Sequence, residues 1–309
     1  MLSAQVSRVL PAALVLLLVA ALATTASAWS NGGLEGSEPS NPVYGTHDWI
    51  AQHALDYLPV DEAGFIRVNM NLYLYATELP DRCTGSDRIC DQGNHHVYYH
   101  SDRVLQDDVG ARRAQDYYQE VAVALVLRDF TRAARAAEIM THYMSDVAVF
   151  GHVMGAPTDW GVEEHHSDYE NYVNGRTNSY IHDFNSFLAF DGRLDSRSAY
   201  NATLTLAYDT TFDNSGRERT AAWMDKNYNW DSSDFKDRAG HSISLAVNLL
   251  ADVLHTLSLQ SPSGTAPRPA SASLLPYLVL LGGVILITAV LIYRARRKKS
   301  LVAGPVAER

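Results

Sequence analysis

The chain has 309 residues, 25 Lys+Arg against 35 Asp+Glu, a net charge of −10 and two cysteines. Setting aside the two ends, residues 29–273 hold 18 basic and 34 acidic side chains. A balance so acidic argues against a nucleic-acid partner, because that affinity rests on neutralising phosphates with basic groups. Two cysteines also argue against a thiolate-built metal site with paired C-x-x-C motifs.

Residues 1–28 read as a secretory signal: Arg8, an apolar run from Leu10 to Ala23, and Ala26-Ser27-Ala28 as a small-residue cleavage site. Cleavage there leaves Trp29 first. Residues 31–44, rich in Gly, Ser and Pro, predict a surface loop. Thr46 is placed to cap a helix from His47 to about Leu58, and a second helix is expected over Asp61–Tyr75, stopped by Pro80. Cys83 and Cys90 follow, seven apart; outside the cell they are expected to form a disulfide closing a small loop.

Long helices are predicted over Val109–Leu127 and Thr131–Phe150, then a helix over His166–Val173, a mixed stretch to Arg197 and a helix over Ser198–Tyr208. Phe235–Leu257 carries a continuous buried-face pattern and is expected to close the domain. Residues 259–273 read as a Ser/Pro/Ala linker. Leu274–Tyr293 is twenty residues without a charge, followed by Arg294, Arg296, Arg297, Lys298 and Lys299. Twenty helical residues span about 30 Å, and the basic cluster marks the cytoplasmic side. The expectation is one all-α domain over 29–258, held outside the cell membrane by a single C-terminal span with a tail over 294–309. Asn201-Ala202-Thr203 is a glycosylation sequon.

His142, Asp146, His152, His166 and Glu170 fall within 29 residues. His142/Asp146 and His166/Glu170 are i,i+4 pairs, so each projects from one helix face about one turn apart. Imidazole and carboxylate donors so spaced can share one cation, and without thiolate they suit a hydrolytic zinc.

The runs His142-Tyr143-Met144-Ser145-Asp146 with His152, and His166-Ser167-Asp168-Tyr169-Glu170-Asn171-Tyr172-Val173, resemble the ligand core of secreted zinc-dependent phospholipases C. The similarity extends to Trp29-Ser30, to Thr46-His47-Asp48-Trp49-Ile50, to Tyr75–Asp81 and to His95-His96. It implies an all-helical fold, three zinc ions and a phospholipid or other phosphodiester substrate attacked by metal-activated water. It further implies Asp81, His96, His142 and Asp146 on one zinc; Trp29 (through its free amine and carbonyl), His47 and the bridging Asp146 on a second; His152, His166 and Glu170 on the third. Asp81 is also the candidate for orienting the attacking water. Two positions stay open: Glu78 is the runner-up to Asp81, and His95 the rival of His96. The family usually has a proline where this chain has Phe150. A zinc single-strand nuclease or phosphomonoesterase of the same fold is the alternative.

Overall fold

The structure is a computed structural model and describes Trp29 and residues 44–83, 88–177, 181 and 183–260. The expected signal, the 31–43 loop, the linker from 261 on, the C-terminal span and the tail lie outside the described residues. Within them the architecture is all-α. The helices are α1 (Thr46–Asp56), α2 (Gly64–Arg67), α3 (Met70–Tyr75), α4 (Val109–Val126), α5 (Phe130–Asp146), α6 (His166–Asn174), α7 (Ala199–Phe212), α8 (Ala221–Lys226) and α9 (Ser233–Gln260). Short 3₁₀ turns cover Ala76–Glu78, Phe150–His152 and Asp183–Phe187, and one small antiparallel ribbon pairs β1 (Tyr98–Tyr99) with β2 (Leu105–Asp107).

Helix α5 is the centre of the molecule. Ala133, Ala134, Ala136 and Ala137 are fully buried or nearly so, and small side chains let α4, α1, α7 and the 76–78 turn approach its axis. Asp129 starts α5 by accepting a hydrogen bond from the Arg132 amide at 3.0 Å, and Arg128 makes the tight α4–α5 turn at φ 57°. From Ala136 to Asp146 every residue is buried, so the ligand-type side chains of α5 lie in the core.

Three expectations are corrected in detail. Gly45, not Thr46, caps α1: its amide donates to Asp48 Oδ2 at 2.9 Å, while the Thr46 hydroxyl meets that of Thr177. The helix predicted over Asp61–Tyr75 is broken into α2 and α3, with Ala63 left-handed at φ 52° and Asn69 between them. Helix α5 ends at Asp146, and Phe150 instead opens a buried 3₁₀ turn.

Helix α9 matches the closing helix read from the sequence. It is the one described helix long and apolar enough to cross a membrane by length and composition, yet it is mostly buried inside the domain. Its Arg238 is fully inside, donating to Asp209 Oδ2 at 2.9 Å and to the Arg219 carbonyl at 3.0 Å. A buried guanidinium is tolerable only when its donors are so occupied. The Cys83–Cys90 disulfide is formed.

Candidate metal centre

Three side-chain groups converge where α1, the 76–81 turn, the His95 segment, α5, the 150–152 turn and α6 meet. They are His47/His142/Asp146, Asp81/His95/His142 and His152/His166/Glu170. His47 enters from the first turn of α1, and His142 and Asp146 from one face of α5.

In the first two groups, His47 Nε2 stands 3.0 Å from Asp146 Oδ1, and His142 Nε2 and His95 Nδ1 stand 3.2 and 2.9 Å from Asp146 Oδ2. Asp81 Oδ1 is 3.5 Å from His95 Nδ1 and 3.9 Å from His142 Nε2. Asp146 is thus the shared carboxylate, one oxygen toward each group. In the third group, Glu170 Oε1 lies 2.9 Å from His166 Nε2 and 3.3 Å from His152 Nε2.

These donor sets fit zinc. His142 Nε2 faces His95 Nδ1 at 3.2 Å, and His152 Nε2 faces His166 Nε2 at 3.3 Å. Two imidazole nitrogens gain little from each other, but nitrogens bound at ~2.0–2.1 Å to one tetrahedral zinc stand about 3.3 Å apart. His47 Nε2 and both Asp146 oxygens are buried without an aligned hydrogen-bond partner, although they are close to each other. Burying unsatisfied polar atoms is costly, and a shared cation would satisfy them together. Three of the remaining ring nitrogens are held from behind: His47 Nδ1 by the Ser145 hydroxyl at 2.6 Å, His142 Nδ1 by the Thr77 carbonyl at 2.7 Å, His166 Nδ1 by Glu163 at 3.4 Å. Such partners fix ring orientation in metal sites.

The electrostatics are those of the metal-free chain. Burial pushes Asp146 up, but the surrounding imidazoles outweigh it and hold the carboxyl well below its usual range. Burial lowers His142, whereas Asp146 and Asp81 carry it up to about 9. His166 is likewise lowered by burial and then raised to about 10 by Glu163 and Glu170. His47, buried beside His142, is lowered.

The structure gathers His47, Asp81, His142, Asp146, His152, His166 and Glu170. His96 is the exception: His95 joins Asp81 and His142, and His96 turns to Asp107 at 3.2 Å. The reason is the alternation of an extended segment, in which His95, Val97 and Tyr99 are buried while His96 and Tyr98 are only partly so. Gly110 locks that register; its amide bonds the His96 carbonyl at 2.9 Å, and a Cβ there would stand 3.0 Å from the same oxygen. Trp29 is fully buried with its ring edge-on to His47, centroids 5.5 Å apart. The Glu78 side chain lies outside what is described. His152 keeps its place despite Phe150, whose buried ring packs on Tyr169.

Three further residues were not singled out from the sequence. Ser145 supports His47, Glu163 supports His166, and Gly151 passes beneath His166. The Glu163-x-x-His166 spacing is a weak signal for one of them, because Glu163 lies on the loop before α6, where helical periodicity does not place it. A pocket of about 360 Å³ opens over the second and third groups, lined by Asp81, His95, His152, His166, Tyr98 and Glu163 among others.

No family model matches the sequence, and no curated relative matches it. Among solved structures, the alpha toxin from Clostridium absonum is similar at 16% identity and a TM-score of 0.44, over 73% of this chain and 66% of that one. The alpha-toxin of Clostridium perfringens avian strain SWCP is similar at 15% identity and a TM-score of 0.45, over 74% of this chain and 66% of that one. The chain therefore spans just under two thirds of the length of these two structures.

Proposed function

We propose that the domain is a zinc-dependent phosphodiesterase of the phospholipase C type, with three zinc ions held by the three groups. The observation that carries this reading is the convergence of imidazole nitrogens and carboxylate oxygens into three groups, with His47 Nε2 and both Asp146 oxygens buried without an aligned hydrogen-bond partner. Zinc ions there would supply Lewis-acid polarisation of a phosphate and acidify a water. The chain's own contribution is placement. Asp146, buried and anionic, spans two groups and fixes their separation. Asp81 is partly open to the pocket and can orient a water for attack on phosphorus, giving it a positioning role beside its ligand role. His152 and His166 also line the pocket, and with Glu170 they would hold a zinc able to stabilise charge on a departing alkoxide.

The acidic surface supports a lipid diester over a single-stranded nucleic acid. The same reading keeps the domain outside the membrane, with residues 1–28 as leader and 274–293 as anchor. The test is hydrolysis by the purified protein of phosphatidylcholine, phosphatidylinositol and single-stranded DNA, with and without a chelator. Lipid hydrolysis abolished by chelation and restored by zinc is expected. Chelator-sensitive cleavage of DNA alone would replace this reading with the nuclease one.

A further inference from the structure

If the metals and the phosphate occupy the inner wall of the pocket, the outer wall receives what the phosphate carries. Apart from the residues of the metal groups, the lining consists of Glu163, Tyr98, His96, Gln92, Gly93 and Gly151, and the first three bring the side chains assigned to that wall. Glu163 keeps Oε1 on His166, and its Oε2 lies 3.8 Å from the point where a Cβ would sit on Gly155; Tyr98 Oη lies 3.2 Å from that point. The carboxylate and the phenol therefore both approach the bare backbone of Gly155. His96 stacks on the Tyr98 ring, centroids 4.2 Å apart and planes at 17°. Its Nε2 is tied to Asp107 Oδ2 at 3.2 Å, and Asp107 Oδ1 is itself fixed by the Val109 amide at 3.0 Å. Because Asp107 accepts the Nε2 hydrogen, Nδ1 of the neutral ring is left as an acceptor.

The wall thus offers acceptors and one carboxylate, itself paired with His166, and no Lys or Arg lines the pocket among the described residues. Tyr98 is the one Tyr, Phe or Trp lining it, and the His96 stack covers a face of its ring. A quaternary ammonium has no N–H and is recognised by a cage of several open aromatic faces, whereas this wall offers at most the one face of Tyr98 that His96 leaves. A primary ammonium brings three donors to match the acceptors.

Resting on the phosphodiesterase reading, we propose that Glu163, Tyr98 and His96 form a headgroup subsite that selects a primary ammonium over its trimethylated counterpart. A site built to accept N–H hydrogens discriminates against analogues lacking them, because its partly buried acceptors then lose those bonds and are shielded from water by the methyl groups.

The experiment uses the full-length, zinc-loaded protein in detergent with short-chain phosphatidylethanolamine, its N-methylated series, phosphatidylcholine and phosphatidylglycerol. The expected result is a stepwise fall in kcat/KM with each methyl, at least about tenfold from first to last. Glu163→Gln should erase most of that preference by losing activity on the primary amine, and Tyr98→Phe should reduce it in the same direction. Because Glu163 also touches His166, zinc content is measured alongside; if Glu163→Gln loses metal, Tyr98→Phe decides. Calorimetric binding of phosphoethanolamine and phosphocholine gives a second readout. A binding preference for phosphoethanolamine without hydrolysis of any lipid would sink the phosphodiesterase reading and leave the subsite standing. Equal or reversed preference in binding, or a preference for the uncharged glycerol headgroup, would overturn the subsite.

Discussion

The backbone of Gly151 passes so close beneath His166 that a Cβ at 151 would stand 2.4 Å from His166 Cγ. The imidazole can reach Glu170 and His152 only because that side chain is missing. Gly151→Ala should push the ring out of the third group while leaving the helical core in place. Elemental analysis is expected to show about one zinc fewer per chain, with activity reduced at least tenfold. Full zinc content in this variant would show that the ring has another place to sit.

The His95-His96 doublet offers a sharper contrast. His95→Ala should strip a donor shared with Asp81, His142 and Asp146, lowering zinc content and melting temperature together, since metal binding is linked to folding. His96→Ala removes a partner of Asp107 and should keep its full metal complement. Zinc content measured side by side separates the two; loss in the second variant alone would reverse the assignment.

Asp213 sets part of the acid stability. Burial pushes its carboxyl up, but the Ser215 hydroxyl, the Arg219 amide and the Arg238 charge outweigh that and hold it at about 2 against an ordinary 3.8. A carboxylate depressed on folding stabilises the protein above the unfolded value, and this contribution fades as pH falls from about 4 to about 2. Asp213→Asn should therefore destabilise the protein at pH 7, by about 1 kcal/mol once solvent screening is allowed for, with the gap to the parent closing across that window. Asn also tolerates the left-handed φ of 56° that ends α7. Denaturant melts of both proteins at pH 7, 4 and 2.5 check the sign; a gap that widens on acidification would refute it.

Trp29 makes a prediction about processing. An amide nitrogen inside a chain is a poor ligand because its lone pair is delocalised into the peptide bond, whereas a terminal amine is free. The phospholipase resemblance assigns Trp29 a ligand role through its terminus, and the structure buries its ring against His47. Protein beginning at Trp29 should hold its full zinc, and protein with one or two added residues should hold less. Trp29→Phe with a native terminus should keep most of it. Equal zinc in native and extended forms would remove the terminus from the site.

The helical spacing of His142/Asp146 and His166/Glu170 was readable because 3.6-residue periodicity fixes which side chains share a face before any packing is known. The alanines of α5 and the apolar stripe of α9 were readable for the same reason. The choice within His95-His96 could have been made from Val97, the one aliphatic residue in that run: in an extended segment it shares a face with His95. Gly151 and Glu163 were harder. The first matters through the space it leaves, and the second precedes α6 on a loop whose amides at Glu164 and His165 are pinned by Asp225 from distant α8. The late start of α2 after Ala63 was hidden because alanine rarely adopts a left-handed backbone.

Helix α9 carries a consequence for the protein's biosynthesis. As an emerging, unfolded segment it has the length and apolarity of a bilayer-spanning stretch, and at that stage its fold-derived partners do not yet exist. Asp252, in its apolar half, is satisfied in the folded domain by the Asp195 amide and Arg197. At the centre of a helix entering lipid, such an aspartate costs about 2.5–3.5 kcal/mol. The acid that anchors the 195–197 segment in the finished protein thus also taxes membrane partitioning of the nascent chain, and Asp252→Leu should trade one failure for another: a looser surface segment, and a core helix more prone to lodge in the bilayer.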